Sequence, residues 1–146
     1  MDFTILDFTP EFSKDIAEIE ASCFSSPWSE QAILDSYLNS TYFAVAKSND
    51  KIIGYGGVQT VLDEGYVTNI AVLEPHRRFG VGKKIVARLI DYAKEKGLSF
   101  LSLEVRESNA PAINLYKSFG FIEQGVRRNF YTLPKENAII MTKRFD

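Results

Sequence analysis

Two sets of residues in this sequence carry the means for chemistry. One is Arg77-Arg78-Phe79-Gly80-Val81-Gly82-Lys83, where two glycines sit among cations. Glycine lets backbone N–H groups approach one ligand and point at it together, so the turn suits an anion, and Arg77, Arg78, Lys83 and Lys84 add full charges to it. Its spacing is neither the G-x-x-x-x-G-K-[ST] of a Walker loop nor the G-x-G-x-x-G of a dinucleotide-binding fold. The other set is Glu104, Asn109 and Tyr116. A carboxylate accepts a proton, an amide orients a cofactor, and a phenol donates a proton to an oxygen or sulfur leaving group. Plainer roles stay open for all of them: a solvated glycine corner for the turn, and a surface acid, a helix cap and a core aromatic for the other set.

A frame must hold these groups. Tyr66 to Leu73 is rich in β-formers and is closed by Glu74-Pro75, because proline restricts the residue before it and donates nothing to a ladder. Ile85, Val86, Leu89, Ile90 and Ala93 then recur at helical spacing up to a capping Gly97, so the basic turn opens a helix, and a helix N-terminus attracts phosphate. Upstream, Phe3 to Asp7 predicts a short strand, and a helix from Thr9-Pro10 carries Phe12, Ile16, Ile19 and Cys23 near one face. Phe24-Ser25-Ser26-Pro27-Trp28-Ser29 breaks it and caps a second helix with Ile33, Leu34, Tyr37 and Leu38 as its apolar face. Trp28 suits core packing and a substrate wall equally.

Thr41 to Ala46, Ile52 to Val61 and the Tyr66 run predict neighbouring antiparallel strands, the first hairpin turning at Ser48-Asn49-Asp50-Lys51. Ser99 to Val105 predicts the strand that carries Glu104, and Ser108-Asn109 caps a helix containing Tyr116. Phe121 to Gln124 and Ala138 to Thr142 predict the last strands, with Arg127-Arg128-Asn129-Phe130-Tyr131 as a basic-aromatic loop between them. The fold class is α+β: a mixed, mostly antiparallel sheet of about seven strands with about four helices, in a single domain over residues 1–146.

Composition narrows the class. A chain of 146 residues that is 45% hydrophobic and 25% charged is an ordinary globule able to bury a sizeable core. A single cysteine, Cys23, makes no internal disulfide, and neither a signal pattern nor a long apolar span is present, so the cytoplasm is the expected location. One histidine, His76, beside Arg77, gives no basis for a metal site. The net charge of −2 hides a division: residues 1–75 hold 12 acidic and 3 basic side chains, residues 76–146 hold 7 acidic and 14 basic. If the halves stay apart in space, the second suits a polyanionic cofactor and the first a cationic substrate. No lysine-rich arm or binding motif points to nucleic acid, and nothing points to a membrane.

In Phe24 to Trp28, Arg77 to Gly82, Leu103-Glu104-Val105-Arg106-Glu107-Ser108-Asn109, Asn114 to Phe121 and Arg127 to Tyr131, the chain resembles the GNAT acetyltransferase family, most closely its bacterial ribosomal-protein-alanine N-acetyltransferase group, RimI. The resemblance implies a sheet whose fourth and fifth strands splay apart, with acetyl-CoA in the gap. It implies backbone contacts from Ile70, Ala71 and Val72 to the acetyl-pantetheine arm. The Arg77 to Lys83 turn, including Arg78, Phe79, Gly80, Val81 and Gly82, would hold the pyrophosphate, and Asn109 would contact the cofactor. Glu104 would be the general base and Tyr116 the acid that protonates the departing CoA thiolate, in direct transfer without an acyl-enzyme. Trp28 and Tyr131 would flank the acceptor. Two departures from the group stand in this chain: Asn129-Phe130-Tyr131 where Asn-Tyr-Tyr is usual, and Glu136-Asn137 where Glu-Asp is usual.

The leading functional reading is acetylation of a protein N-terminal α-amine, on a small-subunit ribosomal protein that begins with alanine. Acetylation of a small-molecule amine or a lysine side chain, and a non-enzymatic acyl-CoA sensor, are the alternatives. Retention of both Glu104 and Tyr116 favours an enzyme, because binding CoA alone needs neither acid nor base.

Overall fold

The structure, a computed structural model, describes residues 1–145. Apolar, β-rich runs form β1 (Thr4–Asp7), β2 (Tyr42–Ser48), β3 (Lys51–Val61) and β4 (Glu64–Val72), each antiparallel to the one before. The turns are tight: Ser48 pairs with Lys51 around Asn49 at φ 53°, and Val61 with Glu64 around Leu62 at φ 57°. Three more strands, β5 (Phe100–Arg106), β6 (Ile122–Thr132) and β7 (Lys135–Arg144), complete a seven-stranded sheet in the order β1-β2-β3-β4-β5-β7-β6.

Four helices cover the two faces. The first two, α1 (Ser13–Cys23) and α2 (Glu30–Leu38), bury Ile16, Ile19 and Ile33 against Phe43, Val45 and Tyr55. Ser29 caps α2 as its type suggests, its hydroxyl accepting from the Ala32 N–H at 3.1 Å. The apolar face of α2 is narrower than expected, because Leu38 in its last turn is 76% exposed. On the opposite face, α3 (Val81–Glu95) and α4 (Ala110–Ser118) pack with Ala44, Ala46, Ile53, Leu101 and Leu103. The side chains of Val81, Ile85, Val86, Leu89, Ile90 and Ala93 form the buried stripe of α3. That helix lies close because β3 is glycine-rich beneath it: a Cβ on Gly56 would stand 2.6 Å from Ile85 Cγ2.

One expectation is corrected here and one open condition is decided. Arg127 to Tyr131 is not a loop but part of β6, bulged so that the register jumps from Arg127 opposite Ala138 to Tyr131 opposite Glu136. Asn129 sits in the bulge at φ 54° and donates its N–H to Asn137 Oδ1 at 2.9 Å. Its polar residues resemble a loop because β6 is an edge strand, whose outer side tolerates charge. Nor do the acidic and basic halves separate: α3, from the basic half, packs on β2 and β3, and its Arg88 lies 3.4 Å from Asp7 of β1. Among the described residues no helix is long and apolar enough to cross a membrane.

Candidate active site

Among the described residues β4 and β5 are the only parallel neighbours in the sheet, and they pair over three positions: Glu64 with Phe100, Gly65 with Leu101, Tyr66 with Ser102. Beyond Tyr66 they diverge, and a cleft of about 700 Å³ opens between Val67–Ile70 on one side and Leu103–Arg106 on the other. Strand alternation then separates the two chemical groups. Leu101, Leu103 and Val105 bury toward α3 and α4, so Glu104 turns to the α1 face. Tyr116 comes from α4 and belongs to the α3 and α4 core. The base and acid candidates both line the cleft, from opposite faces of the sheet.

Their electrostatics differ. Glu104 is a third exposed, at 32%, and Arg127 Nε lies 3.3 Å from its Oε1. Tyr116 is buried, and burial pushes its phenol up to about 12, with Tyr131 adding to the shift. The group therefore stays protonated at neutral pH, as a donor must. Asn109 lines the cleft but its carbonyl already works, accepting from the Ala112 N–H at 3.3 Å as the cap of α4.

The basic turn stands beside the cleft: a Cβ on Gly82 would lie 4.0 Å from Leu115, which lines it. Gly80, at φ 81°, is the N-cap of α3 and offers no side chain to the helix, whose first bond runs from the Lys84 N–H to the Gly80 carbonyl. The earlier N–H groups of the helix have no acceptor within it. Gly82 has no positive φ, and a Cβ there would come no nearer than 4.0 Å to Val72 Cγ2 and Leu115 Cδ2. Neither backbone nor packing calls for glycine at 82, and its missing side chain leaves open space against the helix end. Lys83 and Phe79 are exposed beside it, and Arg78 holds φ 71°. Arg77 points elsewhere: its Nε donates to the Val72 carbonyl at 2.8 Å and its Nη2 lies 3.6 Å from Cys23 Sγ.

The end of β4 connects turn and cleft. The Leu73 N–H reaches the Ile53 carbonyl across β3 at 2.8 Å, so by alternation the backbone groups of Ile70 and Val72 face the gap. Ala71 turns its backbone to β3 and its side chain into the α1 core.

On the other side of the gap two connections meet. The Ser25 hydroxyl, between α1 and α2, donates to the Leu133 carbonyl, between β6 and β7, at 3.0 Å. Arg106 donates to Pro134 and Leu133 carbonyls at 2.9 and 3.2 Å and stacks 4.1 Å from the centre of the Tyr131 ring. Burial pushes the Tyr131 phenol up against the opposing pull of Arg106. Glu136 holds this arrangement, accepting from Arg106 at 3.2 Å and from the Ser108 N–H at 2.7 Å; the Ser108 bond first, then Arg106, keeps its carboxyl below the usual range. Tyr131 lines the cleft. Trp28 is half-buried against the α1 core instead, and Cys23 to Ser26 form the wall at this point.

Behind that wall is a carboxylate that sequence reading passed over. Glu20, on α1, is fully buried and accepts from the Trp28 N–H at 2.9 Å, from Asn69 Nδ2 at 3.1 Å and from the Tyr55 hydroxyl. The available signal was an acid between Ile19 and Cys23 on the apolar stripe of a helix.

The chain matches the Acetyltransferase (GNAT) family over residues 13–121. It is 39% identical over 86% of its length to a protein of Bacillus subtilis (strain 168) named putative [ribosomal protein bS18]-alanine N-acetyltransferase, of which it covers 85%. To the [ribosomal protein bS18]-alanine N-acetyltransferase of Escherichia coli (strain K12) it is 42% identical, covering 84% of each chain. A crystal structure titled as the ribosomal-protein-S18-alanine N-acetyltransferase from Escherichia coli superposes with a TM-score of 0.90 at 36% identity, over 98% of this chain and 94% of that one.

Proposed function

Since this chain belongs to the GNAT acetyltransferase family, we propose that it carries an acetyl group from acetyl-CoA to the α-amine of a protein that begins with alanine, a small-subunit ribosomal protein in the cytoplasm. The observation that carries this reading is the splayed gap, with a carboxylate entering from one face and a protonated phenol from the other. A donor and an acceptor can then approach from opposite sides and react where they meet.

The residues fit the donor. The unpaired N–H groups at the start of α3 and the cations Arg78, Lys83 and Lys84 suit the pyrophosphate, and Gly82 leaves room for it. Ile70 offers its backbone groups along the path of the pantetheine arm and Val72 its N–H, the Val72 carbonyl being held by Arg77. Acetyl-CoA, as donor substrate, supplies a thioester whose carbonyl carbon bonds to the amine nitrogen as the C–S bond breaks. Glu104 takes the proton released from the acceptor ammonium. Tyr116 gives its proton to the departing sulfur, and the second proton, which the nitrogen sheds as it becomes an amide, restores the phenol by way of solvent. No residue of the chain is acylated in this sequence.

The acceptor lies against the bridge that Ser25 and Leu133 form between the α1–α2 connection and the β6–β7 turn, beside Tyr131. An α-amine asks less of Glu104 than lysine: with reference pKa values of about 7.8 and 10.4, roughly 14% of α-amines and about 0.04% of lysines are neutral at pH 7. Incubation with acetyl-CoA and a peptide beginning with alanine, followed by fragmentation mass spectrometry, should place the acetyl group on the α-nitrogen. Acetylation chiefly on lysine, or turnover with small polyamines alone, would overturn the acceptor assignment.

A further inference from the structure

The bulge in β4 sets one side chain between the acceptor's side of the cleft and the buried acid. Gly56 pairs with Ile70 and Val58 with Val67, so Thr68 and Asn69 together oppose Gly57. An extra residue in a strand re-aims its side chains. Asn69 lines the cleft and also reaches Glu20 at 3.1 Å.

We propose that Asn69 receives the acceptor's amino terminus, its side-chain carbonyl accepting a hydrogen bond from the α-ammonium, and that Glu20 fixes it in that orientation. The inference rests on the N-terminal acetyltransfer reading. A carboxylate only accepts, so the amide nitrogen of Asn69 must face Glu20, and its oxygen lies at the opposite end of the amide. Tyr55 and the Trp28 N–H also donate to Glu20, so three hydrogen bonds over its two oxygens fix the carboxylate.

Energetics give the network a purpose. An apolar residue would fill the site on α1 without the desolvation penalty of several kcal/mol that a buried carboxylate carries. The acid instead joins both walls that the acceptor passes: β4 through Asn69, and the turn after α1 through Trp28. Its charge also favours a cation in the cleft.

The test is steady-state kinetics with the alanine-initiated peptide, alongside calorimetry of acetyl-CoA binding. Asn69→Ala should raise the peptide KM about tenfold or more, with kcat within about threefold and acetyl-CoA affinity unchanged. Glu20→Gln should raise KM as well, because a glutamine can donate and so lets the Asn69 amide reverse. The double variant Glu20→Gln/Asn69→Asp exchanges donor and acceptor, returns an oxygen to the cleft, and should recover KM. An unchanged KM in folded Asn69→Ala, or a lower melting temperature with KM unchanged and no recovery in the double variant, would overturn the inference. Lack of turnover by the unaltered protein, with acetyl-CoA still bound, would instead remove the acceptor reading and this inference with it.

Discussion

Arg127 Nε stands 3.3 Å from Glu104 Oε1, so the carboxylate that should receive a proton is met by a fixed cation on the bulged edge strand. Both partners are partly exposed, and such a pair is worth only about 0 to 1 kcal/mol, little enough for an incoming ammonium to displace. Arg127→Ala should therefore lower the peptide KM, by no more than about fivefold. Glu104→Gln should lower kcat about a hundredfold or more near neutrality, with partial recovery as pH rises and the acceptor loses its proton unaided. Initial rates of CoA release from pH 6 to 9.5 test both; normal rates across that range in Glu104→Gln would remove its role.

Gly82→Leu should separate binding from folding. The added side chain meets no protein atom nearer than 4.0 Å at its Cβ, and leucine is a better helix former than glycine, so thermal stability should hold or rise. Calorimetry should show acetyl-CoA affinity falling more than about tenfold. Unchanged affinity would place the pyrophosphate elsewhere.

Tyr116→Phe should reduce kcat about a hundredfold while leaving acetyl-CoA affinity within about twofold. Because burial raises this phenol to about 12, any alkaline loss of rate below pH 11 should be the same in wild type and in Tyr116→Phe. A wild-type kcat that falls with an apparent pKa near 10 would show that the acid is unshifted.

Stability should follow the same phenol. Its folded pKa lies above the ordinary phenol value of 10.0, so its contribution is fully present below pH 10 and is lost between there and about pH 12. Tyr42 and Tyr55 are raised too, chiefly by burial, and act in the same direction. Urea midpoints should fall steeply above pH 10, and Tyr116→Phe should fall less steeply, by on the order of 2 kcal/mol. A flat profile to pH 12 would contradict it.

Much of the frame was legible because its signals are local. The stripe from Ile85 to Ala93 fixed α3, Gly97 ended it at φ 68°, and Ser29 and Asn109 capped helices as their types suggest. What escaped depends on partners distant in the chain. Whether Arg127 belongs to a loop or a strand is decided by Ala138 and Asn137 across the ladder. Arg77 looks like part of the anion turn in sequence, yet the Val72 carbonyl and Cys23 claim its guanidinium. Trp28 lies half-buried against the α1 core, its backbone N–H held by Glu20 eight residues earlier. Spacing alone puts Glu104 and Tyr116 near a helix and a strand; only the divergence after Tyr66 brings them to one gap.

The three shared positions between β4 and β5 also have a mechanical meaning. They make the sheet two stiff plates joined along a short seam, and a seam held at one end can flex like a hinge. A donor laid along the free margin of β4 would brace the plates in the place of the missing rungs. The amides of Ile70 and Val72 should accordingly exchange with deuterium quickly in the free protein and slowly once acetyl-CoA is bound, and the opposite edge at β1 should show no such change. The cosubstrate would then be a structural member of the sheet for as long as it stays bound.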